Sequence, residues 1–525
     1  STSQYYYDVS AGPEHGPAKH LLGRLAHTRD DTLSTYFSYD ALGRVESVAR
    51  VRFDDPRRFE ESYTYGPQGR LESLGFHLPA APEPIDETVR YTFDSAGKTR
   101  EATLYTGRDP DAQKWTLFHS DTVDPFGRYR AVTLGNGVRE EYDYRAGARR
   151  ELTQKRIITS AGTETHSFLS YDGEGRLLRQ SQQFGADPAT DKSFAYDAMG
   201  RLRRALGWQT ISGIAMGLQD ESFTYDALGG LATVTDNVVS ANTWLSSRDS
   251  ADPDRVCSVG PRCDSPCPLQ VYCAFQYDSA GNTTRAPDLA DSNMRYFAYD
   301  AKSRVTHVSK GLAQAQLTYD ALGNVATMQA TSASAGLVRD DRRYGGLVEV
   351  SRYSDVQNEV FVRHIPGPMG ALASLKGSGS ARSASLAHGD LQANKTFTDL
   401  GGHRAQRIDY RAFGAVATDT TSEGTSAHHK YQWNGGEHFA DLGINLLGAR
   451  VYDPALGRFL QRDPLMIPRT AGLMHPYAFA FNDPVNRNDP SGLDPCPDLA
   501  PRRTAPEREA PTTVPPRSAA RTRIQ

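Results

Sequence analysis

Four of the five cysteines lie in one short stretch, at Cys257, Cys263, Cys267 and Cys273, and are the densest reactive cluster in the chain. Their spacings of six, four and six residues contain no Cys-x-x-Cys knuckle, and no histidine lies between them, which disfavours zinc. Two disulfides stapling an insertion would suit an exported protein. Free thiols and a metal site are the alternatives, and the fifth cysteine, Cys496, is interpreted as free.

Other chemical motifs are sparse. The chain contains no phosphate-binding Gly-x-x-x-x-Gly-Lys-Ser/Thr loop, no His-Glu-x-x-His pair and no Gly-x-Ser-x-Gly elbow, so an ordinary hydrolase has no supporting residues and no cofactor is expected. The adjacent His428 and His429 are interpreted as solvated loop residues. The segment 489–492, Asp-Pro-Ser-Gly, has the residue order of a type I turn.

The composition points to many short strands. The 525 residues include 46 Gly, 26 Tyr and 20 Phe, and long stretches lack a helical apolar period, so almost no long helix is expected. A net charge of −4 gives the body no field that would attract nucleic acid. A mean hydropathy of −0.57 and the lack of an apolar run of about 18 residues predict no membrane-spanning helix.

A repeated turn motif provides the framework that must position any functional residues. Four copies read YDALGR, YDAMGR, YDALGG and YDALGN, beginning at Tyr39, Tyr196, Tyr225 and Tyr319, and looser copies lie between them. Asp accepts backbone N–H groups just after it, and Gly takes the positive φ that other residues resist. Each copy therefore predicts a β-hairpin, and successive hairpins must pair edge to edge to bury their apolar faces.

These repeats resemble the YD-repeat, or Rhs, family, which includes bacterial polymorphic toxins and the C component of insecticidal toxin complexes. The segment 434–465 is similar to the family's core signature; its matching residues are Asp441, Gly443, Ala449, Arg450, Tyr452, Asp453, Pro454, Gly457, Arg458 and Phe459. The resemblance implies an all-β fold in which hairpins coil into a large spiral sheet that forms a hollow shell, or part of one.

The sequence PVNRNDPSGLDP at 484–495 resembles the family's closing motif. The resemblance implies self-cleavage of the bond between Leu493 and Asp494 by Asp463 and Asp489, at most an intramolecular aspartic autoprotease. Two close carboxylates can share one proton, so that one activates water and the other protonates. Turn capping without catalysis is the alternative for both aspartates. Arg462 either tunes the pair or is a residue salt-bridged at the surface.

The chain is predicted to divide into successive segments: a YD-repeat shell at 1–350 with a cysteine insertion at 236–274, continuing strands at 351–430 with a flexible loop at 377–387, a core with the cleavage motif at 431–493, and a tail at 494–525. Where the repeat spacing doubles near the cysteines, either a degenerate copy or a looped insertion is expected. The tail holds seven Pro and six Arg with few large apolar residues, so it is predicted to be disordered.

The resemblance implies a secreted or exported bacterial scaffold that encloses a C-terminal passenger and cleaves itself after Leu493. Expected partners are that passenger or toxin, which is missing or very short here, a second shell chain or delivery apparatus, and an immunity protein for the passenger. The alternative is a secreted adhesion protein whose Tyr-rich surface binds carbohydrate or protein without cleavage.

Overall fold

The computed structural model describes residues 3–9, 18–79, 84–107, 114–147, 151–212, 214–238, 242–249, 252–261, 273–332, 338–354, 356–377, 382–391, 393–421, 430–465 and 475–493. These residues form β-strands joined by turns and loops, with 3-10 turns at Ala440–Leu442 and Ala480–Asn482. The predicted all-β fold is confirmed. The residues Cys263, Cys267, His428, His429, Asp494 and Cys496 and the tail, for which predictions were made, lie outside the described residues.

The first sheet has 20 strands, each antiparallel to the next in the chain. Short hairpin turns suffice for this order because antiparallel neighbours need no crossover. The strands are β1 Gln4–Tyr7, β2 Leu25–Arg29, β3 Leu33–Tyr39, β4 Val45–Arg52, β5 Asp55–Tyr65, β6 Leu71–Leu78, β7 Ile85–Phe93, β8 Thr99–Thr106, β9 Lys114–Val123, β10 Tyr129–Leu134, β11 Arg139–Tyr144, β12 Leu152–Thr159, β13 Gly162–Tyr171, β14 Leu177–Phe184, β15 Thr190–Tyr196, β16 Leu202–Ile211, β17 Ile214–Tyr225, β18 Leu231–Asp236, β19 Asn242–Arg248 and β20 Val256–Pro261.

A second sheet of 14 strands continues the same meander, and a third sheet has four strands. The second contains β21 Gln276–Tyr277, β22 Thr283–Pro287, β23 Met294–Tyr299, β24 Val305–Lys310, β25 Ala313–Tyr319, β26 Val325–Thr331, β27 Val338–Tyr344, β28 Val348–Tyr353, β29 Val356–Gly367, β30 Gly370–Lys376, β31 Ser383–Gly389, β32 Asn394–Thr398, β33 Arg404–Tyr410 and β34 Val416–Thr421. The third contains β35 Glu437–Phe439, β36 Ile444–Leu447, β37 Arg450–Asp453 and β38 Arg458–Phe459.

The repeated turn is built by its aspartate. Asp40 Oδ1 accepts the backbone N–H groups of Leu42 and Arg44, both at 2.9 Å, and Gly43 adopts a φ of 84°. The same bond to the fourth residue onward recurs at Asp94, Asp124, Asp172, Asp197, Asp226, Asp278, Asp300 and Asp320. The hairpin prediction is therefore correct in its mechanism as well as its place.

The repeat tyrosine joins neighbouring hairpins. Tyr196, at the end of β15, donates its hydroxyl to the carbonyl of Leu177 at the start of β14, at 2.7 Å. Equivalent bonds are Tyr39 to Leu25, Tyr171 to Leu152, Tyr225 to Leu202, Tyr299 to Thr283 and Tyr319 to Val305. The guanidinium of Arg176, in the preceding turn, lies 5.1 Å from the centre of the Tyr196 ring. Each motif thus fastens one repeat to the one before it.

The two long sheets pack against one another and share the largest apolar core. The ring of Phe59 in β5 stacks on Tyr344 in β27 with ring centres 3.8 Å apart. Buried ion pairs also cross between the sheets: Arg363 Nε in β29 lies 3.0 Å from Glu87 Oε2 in β7, and both side chains are fully buried. Removing one partner of such a pair would strand the other charge in the interior.

The structure around the cysteines bears on the predicted insertion at 236–274 and on the predicted disulfides. Strands β19 and β20 lie within the predicted insertion at 236–274 and continue the first sheet, which favours a degenerate repeat over a looped insertion for the described residues 242–249 and 252–261. Cys257 in β20 forms a disulfide with Cys273, just before β21. The disulfide and the bond from the Tyr277 hydroxyl to the carbonyl of Val256, at 3.0 Å, connect the ends of the two long sheets.

Two segment boundaries differ from those predicted. Residue 350 falls inside β28, so the second sheet runs through this position without a break. The flexible loop predicted at 377–387 is wrong over its last five residues, which begin β31. Ala384 and Leu386 alternate with more exposed residues and are buried, so their burial favours a strand despite the small, polar composition.

Candidate functional site

The candidate site lies where the third sheet meets the segment 475–493. The hairpin of β36 and β37 turns at Gly448, and the N–H of Ala449 donates to the carbonyl of Ser491 at 2.9 Å. Gly448 and Gly492 have φ values of 51° and 65°. A Cβ atom at Gly448 would collide with the backbone of Ser491, so the close approach of the two segments requires glycine there.

Arg450, the first residue of β37, connects the two aspartates predicted from the sequence. Its Nη2 lies 2.9 Å from Asp463 Oδ2 and 3.2 Å from Asp489 Oδ2. Its Nε donates to the carbonyl of Gly492, and its Nη1 donates to the carbonyl of Pro476 at 3.4 Å. One guanidinium therefore holds both carboxylates and the backbone one residue before Leu493.

The side chain of Arg450 is almost completely shielded from solvent. Its side chain is 3% exposed, and its guanidinium carbon lies 3.6 Å from the centre of the Phe459 ring. Burial is the largest influence on the pKa of Arg450 and lowers it from the usual value, while Asp463 and Asp489 act in the opposite direction. An arginine remains charged under such conditions, so it offsets the repulsion between the carboxylates.

The backbone of Leu493 is fixed by Asp489. The N–H of Leu493 donates to Asp489 Oδ1 at 3.0 Å and to the Ser491 hydroxyl at 3.2 Å. The N–H of Gly492 donates to the carbonyl of Asp489 at 3.3 Å, as in the predicted turn. Asp489 is 1% exposed, whereas the side chain of Asp463 is 22% exposed. Asp489 thus both caps the turn and faces a second carboxylate across Arg450.

Arg462 lies elsewhere. Its Nη2 is 2.9 Å from Asp254 Oδ2 and 3.4 Å from Asp252 Oδ2, and its side chain is 38% exposed. These contacts correspond to the salt-bridged alternative for Arg462 and correct its predicted place beside the pair. The guanidinium between the carboxylates is that of Arg450. It precedes both aspartates in the chain and lies beside them in the folded structure.

Two further residues were not assigned from the sequence. Asn434 is buried, and its Oδ1 accepts the N–H of Asp489 at 3.2 Å. Asp483 is 3% exposed, and its Oδ1 accepts the side-chain N–H of Asn486 at 2.8 Å. Burial raises the pKa of Asp483 to about 6. Asn434 stands in the core signature and Asp483 precedes the closing motif, but neither position by itself reveals these contacts.

The described residues contain no group of three or more His, Cys, Asp and Glu side chains arranged to hold a metal ion. Within the same part of the chain, no helix has the length and apolar character needed to span a membrane.

Comparisons with known proteins give relatives along most of the chain, although no family model matches. The double-stranded DNA deaminase toxin A of Burkholderia cenocepacia is 24% identical and aligns with 93% of this chain and 39% of its own length. The tRNA3(Ser)-specific nuclease WapA of Bacillus spizizenii is 29% identical over 226 residues, which are 42% of this chain and 9% of the relative.

Among solved structures, the TcdB2–TccC3–Cdc42 crystal structure is similar over 94% of this chain, with a TM-score of 0.73 and 16% identity. At that identity the likeness establishes the fold. This chain spans 25% of the solved chain and less than half of the two curated relatives. The YD turns and the core signature resemble those of the YD-repeat, or Rhs, family, and these relatives and the shared fold are consistent with that family.

Proposed function

We propose that this chain is part of a YD-repeat shell in a toxin system, where it screens a C-terminal passenger and cuts itself after Leu493. The observation that carries the cleavage proposal is the single guanidinium of Arg450, which holds Asp463, Asp489 and the Gly492 carbonyl together. Turn capping alone would explain Asp489, but it gives no reason to bring Asp463 to the same buried nitrogen.

The arrangement suits hydrolysis of the bond between Leu493 and Asp494. Asp463 is the more exposed carboxylate, so it takes a proton from water while the resulting hydroxide adds to the Leu493 carbonyl carbon. The C–N bond then breaks, and Asp463 returns the proton to the Asp494 nitrogen. Asp489 holds the Leu493 N–H, and Arg450 stabilises the negative charge of the pair.

In this arrangement both carboxylates accept hydrogen bonds. Asp489 accepts from Arg450, Leu493 and Ser491, and Asp463 accepts from Arg450 and the N–H of Leu465. We therefore infer that one residue, Asp463, serves as base and then acid, in place of the shared proton expected from the sequence. The positioning task falls to Asp489.

The shell proposal rests on the continuous meander of the two long sheets and on the fold shared with TcdB2–TccC3. Because the chain spans a quarter of that solved chain, closing a lumen would need further strands from a second shell chain or a longer polypeptide. A relative named as a toxin supports export or delivery of this chain. A passenger, a delivery apparatus and an immunity protein complete the proposed system.

The adhesion alternative finds less support in the repeat tyrosines. Sugar binding by these rings would need exposed faces, but in six repeats the tyrosine hydroxyl bonds to the neighbouring strand, and arginines lie over several of the rings. The tyrosines are already used in holding the sheet together.

Intact mass spectrometry of the purified full chain tests the cleavage proposal. We expect two species that meet at the Leu493–Asp494 bond, and a single uncut species for Asp463→Asn and for Asp489→Asn. Asp441→Asn, at an exposed aspartate of the same core, is the matched control and should be cut as the parent is. An uncut parent, or the same cut in both site variants, would refute the aspartate mechanism.

A further inference from the structure

The hairpin of β16 and β17 extends beyond both neighbouring strands. The last residue of β16 that pairs with β15 is Gln209, and the pairing of β17 with β18 begins only at Glu221. Among the described residues, the segment 214–219 of β17 therefore has β16 on one side and no strand on the other. At about 3.4 Å per residue, this free edge is roughly 20 Å long.

The side chains along the free edge are apolar and exposed. Ile214, Met216 and Leu218 are 69%, 52% and 50% exposed. Ile211, which lies opposite Ile214 in the hairpin, is 41% exposed. A Cβ atom at Gly217 would meet nothing within 4 Å, so the strand faces open space there as well. A contiguous exposed apolar surface of this kind is typical of an interaction site.

The free edge lacks the features that keep edge strands from pairing. Such strands are commonly protected by lysine, by proline or by a charge that points inward. The segment 205–219 contains no charged residue and no proline. The charges that flank it, Arg204 and Asp220, pair with each other at 3.0 Å. The outer backbone N–H and C=O groups of 214–219 are thus open to another strand.

A second copy of this chain fits the free edge better than a membrane does. The hydrocarbon of a bilayer cannot satisfy the N–H and C=O groups of an open strand edge, whereas an added strand pairs with them. The neutral segment 205–219 carries no charge to select an oppositely charged partner and no charge to repel an identical strand. We propose that two copies of this chain pair through β17, antiparallel and related by a two-fold axis.

The sequence of the free edge determines the register of this pairing. A strand that pairs antiparallel with its own copy does so about one central residue, and Met216 is the centre of the apolar run 214–218. In that register Met216 lies opposite its own copy, Ala215 opposite Gly217, and Ile214 opposite Leu218. The register shift of β17 against β16 lies beyond Gly217, so 214–217 remain in regular pairing. Every pair across the interface is therefore apolar.

Disulfide trapping on the full chain tests this register. Residues directly opposite in an antiparallel pair have Cα atoms about 4.5–5.5 Å apart, within the disulfide span of about 4.4–6.8 Å. Met216→Cys should therefore cross-link to its own copy under mild oxidation. In the matched control, Ala215→Cys, the two cysteines are diagonal neighbours about 7–8 Å apart, so we expect about fivefold less cross-linked dimer. The parent chain, oxidised in parallel, gives the background from native cysteines, and peptide mass spectrometry identifies the linked positions.

Sedimentation velocity supplies a second measurement that requires no cysteine. A contact limited to one hairpin edge belongs to the small and weak interfaces, those under about 1,200 Å², so dimerisation should depend on concentration. Over a roughly hundredfold range of concentration, we expect the parent to shift from monomer to dimer and Met216→Lys to stay monomeric. Thr210→Lys, at an exposed residue of β16 in the same hairpin, is the matched control and should dimerise as the parent does.

A parent that stays monomeric over that range, a dimer that survives Met216→Lys, or equal cross-linking of Met216→Cys and Ala215→Cys would overturn the proposal. Co-sedimentation of a monomeric parent with neutral phosphatidylcholine vesicles would assign the hairpin to a lipid surface instead. Met216 lies on an exposed part of the hairpin, so its substitution leaves the packed core intact. Neither measurement depends on the bond after Leu493, so failure of the cleavage proposal and failure of this one are distinguishable.

Discussion

Replacing Arg450 by methionine should loosen the segment that ends at Leu493. The substitution keeps an unbranched side chain against Phe459 but removes the guanidinium that contacts Asp489, which is 1% exposed. Breaking a buried ion pair costs about 3–5 kcal/mol. Asp489 retains its bonds from Leu493 and Ser491, so we expect the lower value, about 3 kcal/mol, or roughly a hundredfold increase in local opening.

Hydrogen exchange of the amides in 485–493, compared with those of β10 in the same sample, measures this opening directly. Arg462→Met is the matched control: its side chain is 38% exposed, and an exposed ion pair contributes about 0–1 kcal/mol. We expect the control to change exchange in 485–493 less than fivefold, about 1 kcal/mol. Unchanged exchange in Arg450→Met, or a larger effect of Arg462→Met, would refute the central position given to Arg450.

Two further predictions concern a buried acid and the repeat tyrosines. Because burial raises the pKa of Asp483 from 3.8 to about 6, the folded protein binds a proton that the unfolded chain releases, and stability should fall as pH rises from 3.8 to 6. Asp483→Asn should remove this fall and stabilise the protein by about 2–3 kcal/mol above pH 6, measured by denaturant unfolding at several pH values; an unchanged pH profile would contradict it. Tyr225→Phe removes the bond to the Leu202 carbonyl and should cost about 1 kcal/mol in the same measurement at neutral pH, whereas Tyr296→Phe, at a ring 51% exposed, should cost nothing measurable.

The turns could be predicted from the sequence because the hydrogen bonds that form them join residues close together in the chain. The Asp-to-Gly turn works within five residues: the carboxylate of Asp40 binds the N–H groups of Leu42 and Arg44, and Gly43 supplies the positive φ. Such a unit can be read from one stretch of chain, so its repetition predicted the hairpins, their order and the all-β fold. The same locality explains why the turn at Asp489 was predicted correctly.

Side-chain partners that are distant in sequence required the tertiary structure. Arg462 is adjacent to Asp463 in the chain, but its guanidinium contacts Asp252 and Asp254 instead of the two candidate carboxylates. Arg450 is 39 residues from Asp489 and reaches it because β37 packs against the segment 475–493. The turns and the strands that they join therefore followed from the sequence. The partner of each buried charge was decided by packing, because the low dielectric of the interior strengthens the attraction to whichever opposite charge the fold brings close.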